Sequence, residues 1–309
     1  MNGSTRPKIP RRVLDGVLLL DKPLGLSSND ALIRAKKIYL AKKAGHTGTL
    51  DPLATGLLPL CFGEATKFSQ DLLEADKTYE ATMRLGVRTT TGDAEGEALQ
   101  TRDVTCDEAA IHAAMAHFRG EIAQVPPLYS ALKRDGKPLY EYARAGQTVE
   151  REARNVTIHA LDLIACALPD VTFRVTCSKG TYVRTLAEDI GEKVGCGAHL
   201  VALRRTGVGV LTLEHAVTLD TLAEAAPDER DSWLQPVDAL LSTFPAVHLD
   251  ADATRRFAQG QRLKLSDIAD APATADRVRV YALDDQRLLG VARAGEGVLA
   301  PERLVVSAA

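Results

Sequence analysis

Long apolar runs are missing from this chain of 309 residues. None approaches the roughly 20 residues of a membrane-spanning helix, and the N-terminus has no apolar signal-peptide core. A soluble, non-exported, cytoplasmic protein is therefore expected, with no membrane partner. Cysteine is scarce too. Cys61, Cys106, Cys166, Cys177 and Cys196 are odd in number, widely scattered, and include no closely spaced pair of the kind zinc sites use. Free, reduced thiols are expected. A phosphate-binding Gly-Lys-Ser/Thr loop, a dinucleotide fingerprint and a cluster of metal ligands are all missing, so neither cofactor nor metal is expected. There is no internal repeat and no low-complexity tract.

With 45% hydrophobic residues the chain can bury a sizeable core, as one large domain and a small one or as two of middling size. The net charge of −3 hides a segregation. Residues 1–43 hold ten Lys/Arg against three acids, whereas residues 214–252 hold nine acids and only Arg230. This predicts either a dipolar surface with one face suited to a polyanion or a set of ordinary solvated helix faces.

Local patterns predict the elements. Residues 1–12 are basic, proline-containing and nearly without apolar side chains, which suits a flexible arm. Val13–Leu20 reads as a buried strand, and Ser27 or Ser28 caps a helix to about Leu40. Leu57–Phe62 predicts a short strand, Glu64–Leu73 a helix, and the alternation of Tyr79, Ala81, Met83 and Leu85 a half-buried strand over Lys77–Leu85. Thr105 and Glu108 form a capping box for a helix to about Phe118. Residues 121–154 read as an irregular insert with Tyr129, Tyr140 and Tyr142 among six Lys/Arg, a mixture that suits either an RNA surface or inward-packed tyrosines. A strand pair over Asn155–Ser178 precedes a helix that ends at Gly195, with Arg184 in its first turn, where a cation opposes the helix dipole and calls for an anionic partner. Strands at Val208–Leu213, Val278–Ala282, Leu288–Ala292 and Leu304–Val306, and helices at Trp233–Leu241 and Ala253–Gln259, complete the pattern, with a domain boundary near residue 248.

Residues 45–59 carry the chemistry. This loop crowds glycines, prolines and threonines around one histidine, His46, and one acid, Asp51, which sits between Leu50 and Pro52-Leu53. A lone carboxylate in apolar company must find a partner or change its charge state. Asp51 can equally be a turn residue before Pro52.

Gly45-His46-Thr47-Gly48-Thr49-Leu50-Asp51-Pro52-Leu53-Ala54-Thr55-Gly56 closely resembles the signature loop of the TruB-type tRNA pseudouridine synthases. Leu20-Asp21-Lys22-Pro23, Tyr79, Tyr129-Ser130-Ala131-Leu132-Lys133, Ser178-Lys179-Gly180-Thr181-Tyr182-Val183-Arg184 and Leu203-Arg204-Arg205-Thr206 resemble the family's other motifs in the family's order, over residues 13–248. The resemblance implies an α+β fold: a central mixed, mainly antiparallel sheet flanked by helices, with a small C-terminal β-rich, PUA-like domain over 249–309. It implies isomerisation of the uridine at position 55 in the T-loop of tRNA, with the base flipped out of the loop. Asp51 is then the catalytic carboxylate, Arg184 its ion-pair partner and Tyr79 the ring that stacks on uracil and serves in proton transfer. His46, Lys22, Leu203, Lys133 and Lys179 are expected at the RNA, with Lys22 supporting the pocket and Leu203 lining it, and Asp93 is a further candidate. The expected partner is tRNA, through T-loop, T-stem and acceptor stem, acted on by a monomer without guide RNA or protein partner. A rival reading pairs Asp51 with Asp93 as the two carboxylates of a sugar hydrolase, which a separation well over about 10 Å would remove.

Overall fold

The computed structural model describes residues 10–130, 132–269 and 271–306. The chain begins with β1 (Gly16–Lys22), α1 (Ser28–Ile38), β2 (Ala44–His46) and β3 (Ala54–Phe62). A 3-10 segment, Gly63–Phe68, runs into α2 (Ser69–Leu73), then β4 (Lys77–Leu85). Next come β5 (Val87–Thr89), β6 (Ala98–Thr101), α3 (Glu108–His117) and β7 (Gly120–Gln124). The insert holds β8 (Lys133–Arg134), β9 (Lys137–Pro138) and α4 (Leu139–Arg144). Then β10 (Arg154–Ala167), β11 (Asp170–Cys177), α5 (Val183–Lys193), β12 (Ala198–Val208) and β13 (Leu211–Thr212) follow, with α6 (Leu219–Glu224) and α7 (Pro227–Ser232). The last unit contains β14 (Ala246–Leu249), α8 (Ala251–Ala258), β15 (Leu263–Lys264), β16 (Ala275–Ala282), β17 (Leu288–Gly295) and β18 (Val298–Leu304).

The fold is α+β. Its large sheet runs β1-β3-β12-β4-β11-β10-β7, with β2 also on β3 and β13 on β12. Its pairs are antiparallel except β3 with β12. One face of β4, β10, β11 and β12 buries Met83, Phe173, Val175 and Leu200 against Ile111 and Met115 of α3 and Leu186 and Ile190 of α5. A second cluster joins β1 and β3 to Ala31 and Ala35 of α1 and Leu222 of α6. The five-stranded sheet β14-β16-β17-β18-β15 has its own core around Phe257, Val278 and Leu299. It docks on the large unit through Val291, which packs in one cluster with Phe68 and Leu241, and through the Arg277–Asp71 ion pair.

Several expected boundaries move. Asp107, not Thr105, caps α3, its Oδ1 accepting from Ala110 N at 2.8 Å; the short Asp side chain lies one residue from the first helical turn. The single helix expected over Glu64–Leu73 divides into the 3-10 segment and α2. The strand expected over Val208–Leu213 lies earlier: residues 198–208 form one strand, and Gly209 turns the chain there at φ 55°. Trp233 ends a helix instead of starting one, and Pro236 precedes a 3-10 turn over Val237–Leu241. The last strand lies at Val298–Leu304, not Leu304–Val306. Residues 121–124 belong to β7 in the main sheet, so the insert starts after Gln124. Ala246–Leu249 pairs in parallel with β16, so a boundary at 248 would cut a strand of the small sheet.

Residues 1–9 of the expected arm lie outside the described residues, but Arg11 and Arg12 are held: Arg11 donates to Ala41 O and Arg12 is ion-paired with Asp231. That pair sets the basic segment beside the acidic one. The Tyr39 hydroxyl donates to Arg230 O at 2.6 Å, and Arg230 in turn donates to Ile38 O. The basic and acidic segments are therefore neighbours that partly neutralise each other.

Candidate active site

Residues 47–53 occupy the place where the second edge of β3 changes partner. His46 still pairs with Leu60, whereas Ala54–Gly56 pair with Leu203–Arg205 of β12. The loop is tied down from both sides. Ser28, buried at the start of α1, accepts from Leu50 N at 2.7 Å and donates to Leu50 O at 3.1 Å. Pro52 O accepts from Gly25 N at 2.9 Å, and Thr47 N donates to Pro59 O at 3.1 Å. Asp51 thus projects from a backbone fixed on each flank. At the loop's end Gly56 has φ 99°, and a Cβ there would lie 2.3 Å from Arg205 O. Gly56→Ala is expected to destabilise the fold by at least about 2 kcal/mol, read as a lower urea midpoint.

Arg184 is the centre of the charge network. Its Nη2 lies 2.9 Å from Asp51 Oδ2 and its Nη1 3.4 Å from Asp93 Oδ2. The same nitrogens donate to Tyr129 O and Thr91 O, each at 2.8 Å. Side-chain exposure is 6% for Arg184, 4% for Asp93 and 43% for Asp51. Of the two acids on this arginine, only Asp51 is open to a substrate. Asp93 Oδ1 is occupied by the Thr91 hydroxyl at 2.5 Å and Glu95 N at 3.1 Å, so Asp93 braces the arginine from behind. The hydrolase reading fails on this exposure and not on distance. Both acids reach one guanidinium, yet Asp93 does not line the cavity that Asp51 faces.

That cavity measures about 250 Å³ and brings together Asp51, Tyr79, Lys179, Arg184 and Leu203, along with Lys77, Tyr182 and Arg205. Arg205, buried in its wall, donates to Leu57 O at 2.7 Å and Gly48 O at 3.2 Å and interacts with the Tyr79 hydroxyl. A guanidinium only donates, so its interaction with the phenol oxygen does not use the phenol's own proton. Burial raises the Tyr79 pKa, with Arg205 opposing, so the phenol is neutral. Lys77 donates to Leu73 O at 2.6 Å and Ala75 O at 2.5 Å and is lowered to about 8 by burial. Sequence reasoning missed Arg205 and Lys77 as site residues, although a signal was present. Each stands two positions from a named site residue on the same strand, Leu203 or Tyr79, and so shares its face.

Other expected residues lie elsewhere. Lys22 is fully buried and donates to Leu26 O at 2.6 Å and Pro23 O at 2.9 Å, which corrects its assignment to the RNA. It supports the loop from below, with its pKa lowered to about 8 by burial while Asp51 opposes the shift. A lysine that loses its proton earlier when folded makes stability rise with pH between about 8 and 10.5, because the unfolded chain binds more protons there. Lys22→Met should lack this contribution, so the wild-type advantage in urea unfolding should grow from pH 8 to pH 10. His46 is half-buried on β2; its Nδ1 has no partner among the described residues, and burial lowers its pKa. Lys133 is exposed on β8 and lines a separate cavity with Arg134, Arg151 and Arg154. Lys179 is exposed and ion-paired with Glu74 at the cavity wall.

Three family models cover the chain: the TruB family pseudouridylate synthase N-terminal domain over residues 36–183, the tRNA pseudouridylate synthase B C-terminal domain over 184–242, and the pseudouridine synthase II TruB C-terminal domain over 245–305. The chain is 79% identical over 308 residues to tRNA pseudouridine synthase B of Burkholderia mallei (strain ATCC 23344), covering 99% of each. It is 67% identical over 310 residues to that of Cupriavidus metallidurans, covering 98% of each. Among solved structures, a chain of a Cbf5-Nop10-Gar1 complex superposes with TM-score 0.75 at 29% identity, over 94% of this chain and 85% of that one. An H/ACA RNP bound to a substrate RNA containing 2'-deoxyuridine gives TM-score 0.75 at 26% identity, over 96% and 86%. With its nine-stranded and five-stranded sheets and these matches along its length, the chain belongs to the TruB family of RNA pseudouridine synthases.

Proposed function

We propose that the substrate is tRNA and that the enzyme converts the uridine at position 55 of its T-loop to pseudouridine, with Asp51 as the catalytic carboxylate. The observation that carries this reading is the Asp51–Arg184 pair, whose acid alone opens into a cavity walled by Tyr79. The names of the relatives supply the tRNA. The flipped nucleotide places its sugar at Asp51, whose negative charge stabilises the positive character that develops at C1′ as the N1–C1′ bond breaks. The uracil then rotates against the Tyr79 ring and rejoins C1′ through C5; the C5 proton passes to water by way of the Tyr79 hydroxyl, which gives up its own proton as it takes the new one, and N1 gains a proton from water. Flipping costs on the order of a few kcal/mol, and His46, whose Nδ1 has no partner among the described residues, is the group we assign to the vacated position.

Lys133 and its basic neighbours on the insert, with Lys179 at the cavity, bind backbone phosphates, and Leu203 packs against the base. The catalytic domain ends near residue 245, and the C-terminal sheet acts as a PUA-like module on the acceptor stem. We further propose that the protein works as a cytoplasmic monomer on bare tRNA, without the guide RNA or protein partners of the complexes it resembles. Release of tritium from C5-labelled uridine in a T-loop transcript, with no other macromolecule added, tests this reading. Binding without release would leave only an RNA-binding protein.

A further inference from the structure

The catalytic helix α5 begins without a side-chain cap of its own: Tyr182 is the N-cap residue, and its side chain makes no capping bond. A residue from the far edge of the sheet takes over. Gln124, the last residue of β7, is buried, and its amide grips the Tyr182 backbone at two points. Tyr182 N donates to Gln124 Oε1 at 2.8 Å, and Gln124 Nε2 donates to Tyr182 O at 3.1 Å. Tyr182 O also accepts the first helical bond, from Leu186 N at 3.0 Å. Arg184 stands two residues further on. Its Nη2, which holds Asp51, donates as well to Tyr129 O, at the other end of the short segment that begins at Gln124.

We propose that Gln124 is a positioning residue for the reaction: its two-point amide clamp fixes the first turn of α5, so that Arg184 presents Asp51 in the orientation catalysis needs. The inference rests on the reading that Asp51, held by Arg184, does the chemistry. A simple helix-stabilising contact would be satisfied by any packing that fills the site. A positioning contact needs one donor and one acceptor at the same time, since an amide offers both on one plane.

This pairing yields a test by acid rescue. Glutamate has the shape of glutamine, but its carboxylate only accepts, and it would face Tyr182 O without a donor. Once protonated, it again offers one donor and one acceptor. Burial raises a carboxyl pKa, so lowering the pH restores the clamp in Gln124→Glu. Gln124→Met fills the space and offers neither bond at any pH.

Single-turnover tritium release from a C5-labelled tRNA transcript would be measured for the full-length wild type, Gln124→Met, Gln124→Glu and Arg184→Lys, with transcript affinity measured in parallel. Gln124→Met is expected to be slower by about tenfold or more at every pH, as for a misplaced catalytic group, with unchanged tRNA affinity. The ratio of Gln124→Glu to wild type is expected to be low near pH 8 and to rise toward about pH 6. Wild-type rates in both Gln124 variants, a pH-independent ratio for Gln124→Glu, or a loss of rate matched by a loss of tRNA affinity would overturn the inference. The arginine variant separates the two levels. A fast Arg184→Lys undermines the reading beneath, whereas a slow Arg184→Lys beside fast Gln124 variants overturns this inference alone.

Discussion

Asp51→Asn is expected to lower tritium release from C5-labelled tRNA by on the order of 10⁴-fold or more, the scale seen when a reacting group is removed from an active site. Transcript affinity should barely change. Asparagine keeps the shape and can still accept from Arg184 Nη2, so the loop retains its ties through Ser28, Gly25 and Pro59. What disappears is the one negative charge that both opens into the cavity and touches Arg184. Neutralising Asp93 instead leaves that charge in place, because Asp93 lies behind the arginine and is already engaged by Thr91 and Glu95. Near-normal release by Asp51→Asn in a preparation that binds tRNA would end the carboxylate mechanism.

Arg184→Lys should reduce the single-turnover rate about 100-fold, the scale of a small misplacement of reacting groups, with little effect on tRNA affinity. Lysine carries the same charge but gathers its donors on one atom. Arg184 uses a fork: Nη1 serves Thr91 O and Asp93, and Nη2 serves Tyr129 O and Asp51. One ammonium cannot serve the acceptors that two separate nitrogens hold. Arg184→Met goes further and leaves Asp93 as a buried charge without its cation. The expected loss of folding stability is about 3–5 kcal/mol, read by urea unfolding. A Met variant as stable as wild type would mean that Asp93 does not depend on this arginine.

The chemistry of single positions was legible in the sequence. Arg184 in the first turn of a helix signalled a missing anionic partner, and the partner is there. The alternation of Lys77–Leu85 put Tyr79 on the inner face, where it lines the cavity. The same alternation pointed to Lys77 and, from Leu203, to Arg205, and was not followed that far. Lys22 shows the opposite case. Resemblance put this lysine at the RNA, and only the closure of residues 23–26 around its ammonium shows it to be buried.

The strand alternation of Lys77–Leu85 and the crowded loop around Asp51 were local features, because backbone angles and side-chain facing depend on residues a few positions apart. Tertiary structure decided which distant groups meet. The parallel pairing of β3 with β12 brings Arg205 under the loop, α5 brings Arg184 to Asp51, and β7 brings Gln124 to Tyr182. It also set Arg12 of the basic N-terminal segment against Asp231 of the acidic one, which charge counting did not foresee. Such contacts follow from strand order and layer packing, and those are fixed by burial summed over the whole chain, which no short stretch of residues encodes.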